Sequence, residues 1–582
     1  MDSPGRERPS DPPRGQARQE DDDWRLASAV TGVSEEPFEG LQAEAAAQRA
    51  HAGRVRRAEG RRIARNTAIF SVATGLSRIA GLVREIVASS YFATSGAFSA
   101  FTLAFQVPNL VRSLFADAAL QAAFVPVFTE LLEHGRRRDA FRLASTLFLL
   151  ILAALGALAA LFILTAGWIM PLFTGTHFNG ALDHLTVGLS RVLFPIVVLL
   201  GLNGLVVGIL NAYDHFSIPA IAPLVWNVVI IVLLVALRPL FGGSDQLYAY
   251  AIGVLVATVV QFAMAVPVLG RIDFRLRIAF DWRDERVRRV LGLMLPVTLG
   301  LGVINFDLLI NSTQGTLVSD QAPRAIDAAF RIYMLPQGMF SVALATVLFP
   351  ALSRLAARRD YLGLGATMSN GVRQIFLLLV PAAAFTLALA TPIVRLIYQH
   401  GSFHGHSTDQ VSLALFWFSF SLPFAGANLL LTRTFFSLQR PWIPTALASG
   451  SIVVDAAIGF ALYKPVGLAG PVIGTVVSNA AMTAAQVLYL RRLLGRGLQG
   501  RRTLVAVVQI VLAAALMGGV AWGVWRSLDE VLGATLVAQI ISVGVAALAA
   551  LLVYAGTVLL IRMPEALQIR ALVLRRLGRA PA

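Results

Sequence analysis

Cysteine is absent from the 582-residue sequence, which excludes disulfides, thiol catalysis and cysteine-ligated metals. Charge is scarce as well: Asp, Glu, Lys and Arg make up 14% of the chain, where a soluble domain carries about a quarter. No phosphate-cradling glycine loop, Ser–His–Asp set or paired general acid and base stands out, so nothing marks an enzyme or a bound cofactor. A cleavable signal peptide is not visible either.

What the chain has in quantity is hydrocarbon. Hydrophobic residues are 56% of it and the mean hydropathy is +0.69. They form long runs parted by short Arg-rich joints. A backbone crossing lipid must satisfy its own hydrogen bonds, and a helix does so in about 20 apolar residues. Spans are predicted at 66–91, 97–131, 140–172, 187–211, 217–239, 247–270, 290–316, 325–352, 368–397, 409–437, 443–463, 468–491, 503–526 and 533–561. The fold class expected is an all-α integral membrane protein of about fourteen transmembrane helices. Residues 1–62, with Asp21–Asp23 and many Arg and Pro, read as a disordered cytoplasmic tail.

The net charge of +16 does not indicate a nucleic-acid partner, because the arginines sit between apolar runs and suit lipid headgroups instead. Joints after even-numbered spans carry about twenty of them, among them Arg136–Arg138, Arg286, Arg288, Arg289, Arg358, Arg440, Arg491 and Arg501. Joints after odd-numbered spans carry little beyond Arg238, Arg324, Lys464 and Arg526. Cationic loops stay in the cytoplasm, so both termini are expected there.

A weak repeat has a period of about 225 residues. Ala119-Leu120…Pro126 returns as Ala343-Leu344…Pro350, and Ile218-Pro219 as Ile443-Pro444. Six helices per repeat keep the same side inward, so the halves are parallel and a transport site between them is expected. The division is 63–270 and 271–495 for the halves, 496–563 for two additional helices and 564–582 for a second cytoplasmic tail.

Ionisable side chains within spans are costly and point to function. Span 1 has Arg78, Arg84 and Glu85, and span 2 has Arg112 and Asp117. On a straight helix Arg78 and Arg84 point about 120° apart, and Gly81 permits a bend that turns both inward. Alternatively Arg84 pairs with Glu85 and both snorkel to an interface. Pro108 frees a carbonyl one turn earlier and marks a kink usable in gating. Arg331 opens span 8, either facing this region or anchoring a helix end. Converging guanidinium groups fit phosphate oxygens, which points to a pyrophosphate-bearing or otherwise anionic substrate. Asp307, Asp455 and Thr475, with Asn305 and Ser451 nearby, can hold a hard cation such as Na⁺ or simply hydrogen-bond between helices. His400, His404 and His406 read as a solvated loop, not a metal site.

Several motifs in order resemble the MurJ/MviN lipid II flippase family. They are Ser77-Arg78-Ile79-Ala80-Gly81-Leu82-Val83-Arg84-Glu85, Phe105-Gln106-Val107-Pro108-Asn109-Leu110-Val111-Arg112 and Gln121-Ala122-Ala123-Phe124-Val125-Pro126. Asn211–Ala220, Leu344–Pro350 and the Tyr398, Gly401, Phe403 spacing continue the pattern. The resemblance runs from about Asn66 to the last span. It implies the fold of the multidrug/oligosaccharidyl-lipid/polysaccharide exporter superfamily, alternating access in a bacterial cytoplasmic membrane, and lipid II as cargo for peptidoglycan synthesis. It implies that Arg78, Arg84, Arg112 and Arg331 engage the pyrophosphate and headgroup, and that the last two helices take the polyprenyl tail. Coupling to Na⁺ at Asp307, Asp455 and Thr475, or to membrane potential, is also implied. A monomer, with cell-wall synthesis enzymes as further partners, is expected. Ser99 and Met334 depart from acidic positions of the family, which leaves room for an exporter of another polyprenyl-linked saccharide or a drug, or for a non-transporting scaffold.

Overall fold

The computed structural model describes residues 72–115, 117–213, 215, 217–272, 281, 283–495, 498–533 and 535–568, without side chains over 114–122 and 295–305. The tail expected over 1–62 lies outside these residues. Each predicted span is mainly helical where it is described, with breaks at 194–195 and 389. Span 1 is α1 (72–92), span 2 is α2 (Gly96–Phe115) with α3 (Asp117–Glu133), and span 3 is α4 (Arg137–Ile169). Span 4 is α5 (Gly180–Leu193) with α6 (Ile196–Ala212); spans 5 and 6 are α7 (Ser217–Leu237) and α8 (Gln246–Arg271). The second half runs α9 (Glu285–Thr316), α10 (Ala322–Ala357), α11 (Tyr361–Ala388) with α12 (Ala390–Tyr398), α13 (Gly405–Ser437), α14 (Trp442–Val466) and α15 (Ala469–Leu494). Finally come α16 (Gly500–Leu532) and α17 (Leu536–Leu560). Eleven described helical segments are long and apolar enough to cross a membrane. With α1, α2–α3 and α9 they account for the fourteen spans.

Local chemistry sets the boundaries. Asn179, Asp284, Asp360 and Thr535 each place a side-chain oxygen on a backbone N–H of the first turn of α5, α9, α11 and α17. Pro195, which lacks an N–H, parts α5 from α6. Within the first half α2 packs on α5, α3 on α6, and α7 on α8; within the second, α10 and α11 pack on α13, and α14 on α15. Lipid is as apolar as leucine, so close packing holds these pairs together more than exclusion of water does. Phe101 stacks on Tyr250 with centroids 4.3 Å apart, and Phe162 on Phe194 at 3.8 Å. The added pair α16–α17 lies along α11 through α16. Helix α9 touches α2 and α3 as well as α10 and α14, so it ties the halves to each other.

The halves meet most clearly at the end where α1 finishes and α10 begins, here called the distal end. Ser402 donates its N–H to the Ser90 carbonyl at 2.8 Å, and the Thr94 and Ser407 hydroxyls are 2.8 Å apart. Gln106 donates to the Ser312 hydroxyl at 2.8 Å. Gly401 permits this approach: its φ is +61°, and a Cβ there would lie 2.5 Å from the Ser90 carbonyl oxygen. Towards the opposite end, the face of α10 that bears Arg324, Asp327 and Arg331 continues as Leu335, Gly338 and Val342. Leu335 and Val342 are exposed, and nothing stands within 4 Å of a Cβ built on Gly338. One face is therefore closed at its start and open further along, which makes a wedge.

The tail expected from 564 onward starts as a docked segment. Glu565 and Arg373 of α11 are both buried and pair at 2.5 Å, with Gln499 and Thr503 on the same guanidinium at 3.2 Å. Its physical reason is plain: an arginine facing the bundle needs a counter-charge, and the chain after α17 supplies it.

The absence of native cysteine makes the distal join easy to test. A Thr94→Cys/Ser407→Cys double variant is expected to form a disulfide in the resting membrane protein, seen as a mobility change reversed by reductant. Thiols that stay fully labelled under oxidant would mean that these loops stand apart.

Candidate functional site

Glu85 is the hub of the distal end. It lies on α1 with 3% exposure, and three arginines address it. Arg324 of α10, 1% exposed, donates to its Oε1; Arg331 reaches the same oxygen from 3.4 Å, and Arg84 lies 3.9 Å from Oε2. Asp327 supplies the second carboxylate, at 2.9 Å from both Arg324 and Arg331. Arg324 also donates to the Ser89 hydroxyl at 2.8 Å, and its guanidinium sits 4.0 Å from the centroid of Phe98. Three guanidinium groups thus share two carboxylates, which leaves one positive charge in excess. That excess sits where the α10 face turns from buried to open: the Arg331 side chain is 37% exposed, against 1% for Arg324.

Spacing on α10 explains the array. Arg324, Asp327 and Arg331 are three and four residues apart, so they fall on one helical face. On α1, consecutive Arg84 and Glu85 project about 100° apart, so a direct bidentate pair between them is not available. Arg84 instead lays its guanidinium 5.0 Å from the ring centroid of Trp226 on α7. Arg324 is where the sequence reading fails. By sequence it is a charge at the edge of an apolar run, whereas the structure places it in the centre of the network joining α1 to α10. The signal available was the i, i+3, i+7 alternation of charge on an otherwise apolar face.

The remaining expected residues are distributed as follows. Arg78 is exposed on α1, nearer its start, outside the Glu85 cluster as described. Helix α1 runs unbroken through Gly81, where a Cβ would make ordinary contact with Asn227 at 3.7 Å. Pro108 lies within α2, which continues to Phe115. Arg112 turns back on its own helix, donating to the Asn109 side chain at 2.8 and 3.0 Å. The Asp117 side chain lies outside the described residues. Ser99 is buried and its hydroxyl accepts the backbone N–H of Arg324 at 3.3 Å, while Met334 is exposed.

The second-half polar group does assemble. Asn311 of α9 donates to Asp455 Oδ2 of α14 at 3.0 Å and to Thr475 of α15 at 3.1 Å, and the Asp307 and Asp455 carboxyls are within hydrogen-bonding reach of each other. Asp455 is wholly buried and its Oδ1 has no hydrogen-bond partner. Gly474 makes room for it, since a Cβ there would lie 2.8 Å from that oxygen. Asn311, one turn after Asp307 on the same helix, went unread in the sequence. Ser451 bonds its own helix, at the Ala448 carbonyl, and the Asn305 side chain lies outside the described residues. Among the described residues no cluster of three His, Asp or Glu is placed to hold a metal, the loop histidines included.

A multi-pass bundle with a charged cluster between its halves is the architecture of a membrane transporter. Comparisons with known proteins make this specific. The family model described as "Lipid II flippase MurJ" matches residues 88–543. The chain is 31% identical over 425 residues to the "Lipid II flippase MurJ" of Burkholderia cenocepacia, covering 72% of this chain and 82% of that protein. It is 29% identical over 519 residues to the "Probable lipid II flippase MurJ" of Vibrio cholerae serotype O1, covering 85% and 97%. Among solved structures it superposes on "Lipid II flippase MurJ, inward closed conformation" with TM-score 0.71 and 20% identity, covering 85% of this chain and 100% of that one. An inward-facing multidrug resistance MATE family transporter of the MOP superfamily gives TM-score 0.63 at 16% identity, over 72% and 95%. The chain belongs to the MurJ lipid II flippase family.

Burial separates the two α10 arginines experimentally. Removing one partner of a buried ion pair costs about 3–5 kcal/mol, a half-exposed one about 1 or less. Arg324→Gln is therefore expected to lower the thermal midpoint of the purified protein clearly, and Arg331→Gln to leave it within a degree or two. Equal shifts would contradict the placement of these side chains.

Proposed function

We propose that this chain carries lipid II from the inner to the outer leaflet of the bacterial cytoplasmic membrane by alternating access. Family membership supports the cargo, and the observation that carries the mechanism is the Glu85 cluster with its excess positive charge. Lipid II has a diphosphate and a large polar head, and passing these bare through hydrocarbon would cost tens of kcal/mol. A cationic site facing a wet wedge removes most of that barrier while the polyprenyl tail stays in lipid. Arg84 and Arg331 are the groups best placed to receive the diphosphate, because each keeps donors that the two carboxylates do not occupy. Arg78 and Arg112, nearer the wide part of the wedge, suit an approaching anion.

The positive-inside asymmetry supports both termini in the cytoplasm. With that orientation the distal end faces outward and the wedge opens to the cytoplasm, the side on which the cargo is made. Residues 63–270 and 271–495 act as the rocking halves, with α9 as their shared hinge element. The outward side of α16–α17, rich in exposed Leu504, Leu512, Leu548 and Leu552, gives a polyprenyl chain an apolar track. Asp307 and Asp455 form the coupling site: two carboxyls in contact at low dielectric need a proton or a cation between them, and Asn311 and Thr475 supply further oxygens. Inside-negative potential, about 2.3 kcal/mol per charge per 100 mV, favours outward release of the anion.

Rescue of a bacterium depleted of its own flippase tests this reading. The intact chain is expected to restore growth and the outside accessibility of lipid II, and Arg84→Ala or Arg331→Ala to reduce the latter at least about tenfold at equal membrane levels. Failure of the intact chain to rescue, or rescue undiminished by both variants, would overturn it. Asp455→Asn is expected to abolish the dependence of the transport rate on the Na⁺ or proton gradient. Persistence of that dependence would remove the acidic pair from the account.

A further inference from the structure

We propose that Trp226 is a positioning residue for the diphosphate: it holds Arg84 by its π face so that the guanidinium is fixed without being neutralised. This rests on the reading of Arg84 as a diphosphate ligand and adds how it is kept available. The Arg84 guanidinium lies 5.0 Å from the indole centroid, and its Nε has no hydrogen-bond partner. Its distance to Glu85, 3.9 Å, is at the outer limit of an ion pair. The ring thus supports the guanidinium from its face, beside a carboxylate held only at that outer limit.

The ring is itself held from behind. Trp226 Nε1 donates to Thr258 Oγ1 at 3.1 Å, and that hydroxyl spends its own hydrogen on the Val254 carbonyl at 2.8 Å. The directions agree: the threonine donates in one direction and accepts in the other. Thr258 is 1% exposed, so this relay from α8 through α7 to α1 is shielded from competing water. Asn227, next to Trp226, faces α1 at Gly81; its amide donates to the Pro223 carbonyl of its own helix at 2.9 Å and reaches the Ser77 carbonyl at 3.4 Å.

Chemistry gives this arrangement its purpose. A carboxylate partner would occupy two of the five guanidinium donors and cancel the charge. An aromatic face attracts the same cation through its quadrupole while leaving the in-plane N–H groups unspent. An arginine so held is ready for a planar, bidentate oxyanion. Glu85 is committed chiefly to Arg324 and Arg331, so it does not remove Arg84 from use.

The experiment measures binding of undecaprenyl diphosphate, a diphosphate probe without the sugar–peptide head, to the full-length protein in detergent. Substitution should grade with the π face. Trp226→Phe weakens binding about threefold and Trp226→Leu about ten- to thirtyfold, the span of a partly desolvated cation–π contact. Thr258→Val, which removes the acceptor and keeps the shape, weakens it a few-fold. In a double-mutant cycle, Trp226→Leu should add nothing to Arg84→Ala. Thermal midpoints check folding, and Trp226→Phe, which retains an aromatic ring, serves if Trp226→Leu does not fold. Equal binding by the Trp226→Phe and wild-type proteins together with losses that multiply in the cycle would overturn the proposal. If Arg84→Ala alone leaves binding unchanged, the reading of Arg84 as a ligand fails first, and the outcome is distinguishable from failure of the Trp226 role.

Discussion

One carboxylate shared by three arginines from two helices governs this molecule. Glu85 sits where water is excluded, and a charge there persists only with counter-charge at hand. Arg324 and Arg331 come from the other half of the protein, so satisfying Glu85 also closes the distal end. Asp327 completes the balance to within one positive charge. In the proposed mechanism that remaining excess is what the anionic cargo meets. On that proposal closure and cargo recognition draw on the same small set of groups, which would couple them without any longer pathway.

The backbone contacts near this cluster serve the same closure. Ser90, Thr94 and the loop carrying Gly401 come together because a glycine with positive φ lets two main chains touch. Away from the distal end the α10 face opens, and Leu335, Gly338 and Val342 rather than charges line it. The second polar group, around Asp455, Asn311 and Thr475, lies among α9, α14 and α15. Helix α9 also packs on the first half, so a change of charge at Asp307 and Asp455 acts on the element that connects both halves. Under the proposed function, a proton or cation at one site and a diphosphate at the other would bias the same two-state motion.

The sequence disclosed the fold well because lipid imposes one rule on every span. Runs of apolar residues must be helices, and their lengths and joints are countable; the described parts of the fourteen segments fall into helices for that reason. The break of span 4 at Pro195 follows the same local chemistry. The site was only partly legible. Arg84, Glu85 and Arg331 were found because a charge inside an apolar run is conspicuous. Arg324 was not, since a charge at the edge of a run looks like a membrane flank until tertiary structure buries it. Asn311 and Trp226 were missed because an uncharged polar or aromatic residue in a span carries no signal of its own. Their roles arise from the neighbouring helix, and a one-dimensional pattern does not contain that neighbour.

The central claim is that Glu85 holds the distal end shut by linking α1 to α10. The most direct measurement is the distance between spin labels placed at Phe92 and Gln321 in the full-length protein in lipid, compared with the Glu85→Gln variant. A short, narrow distribution that lengthens and broadens on Glu85→Gln is the result the account predicts. An unchanged distribution would contradict it and leave the closure to the loops alone.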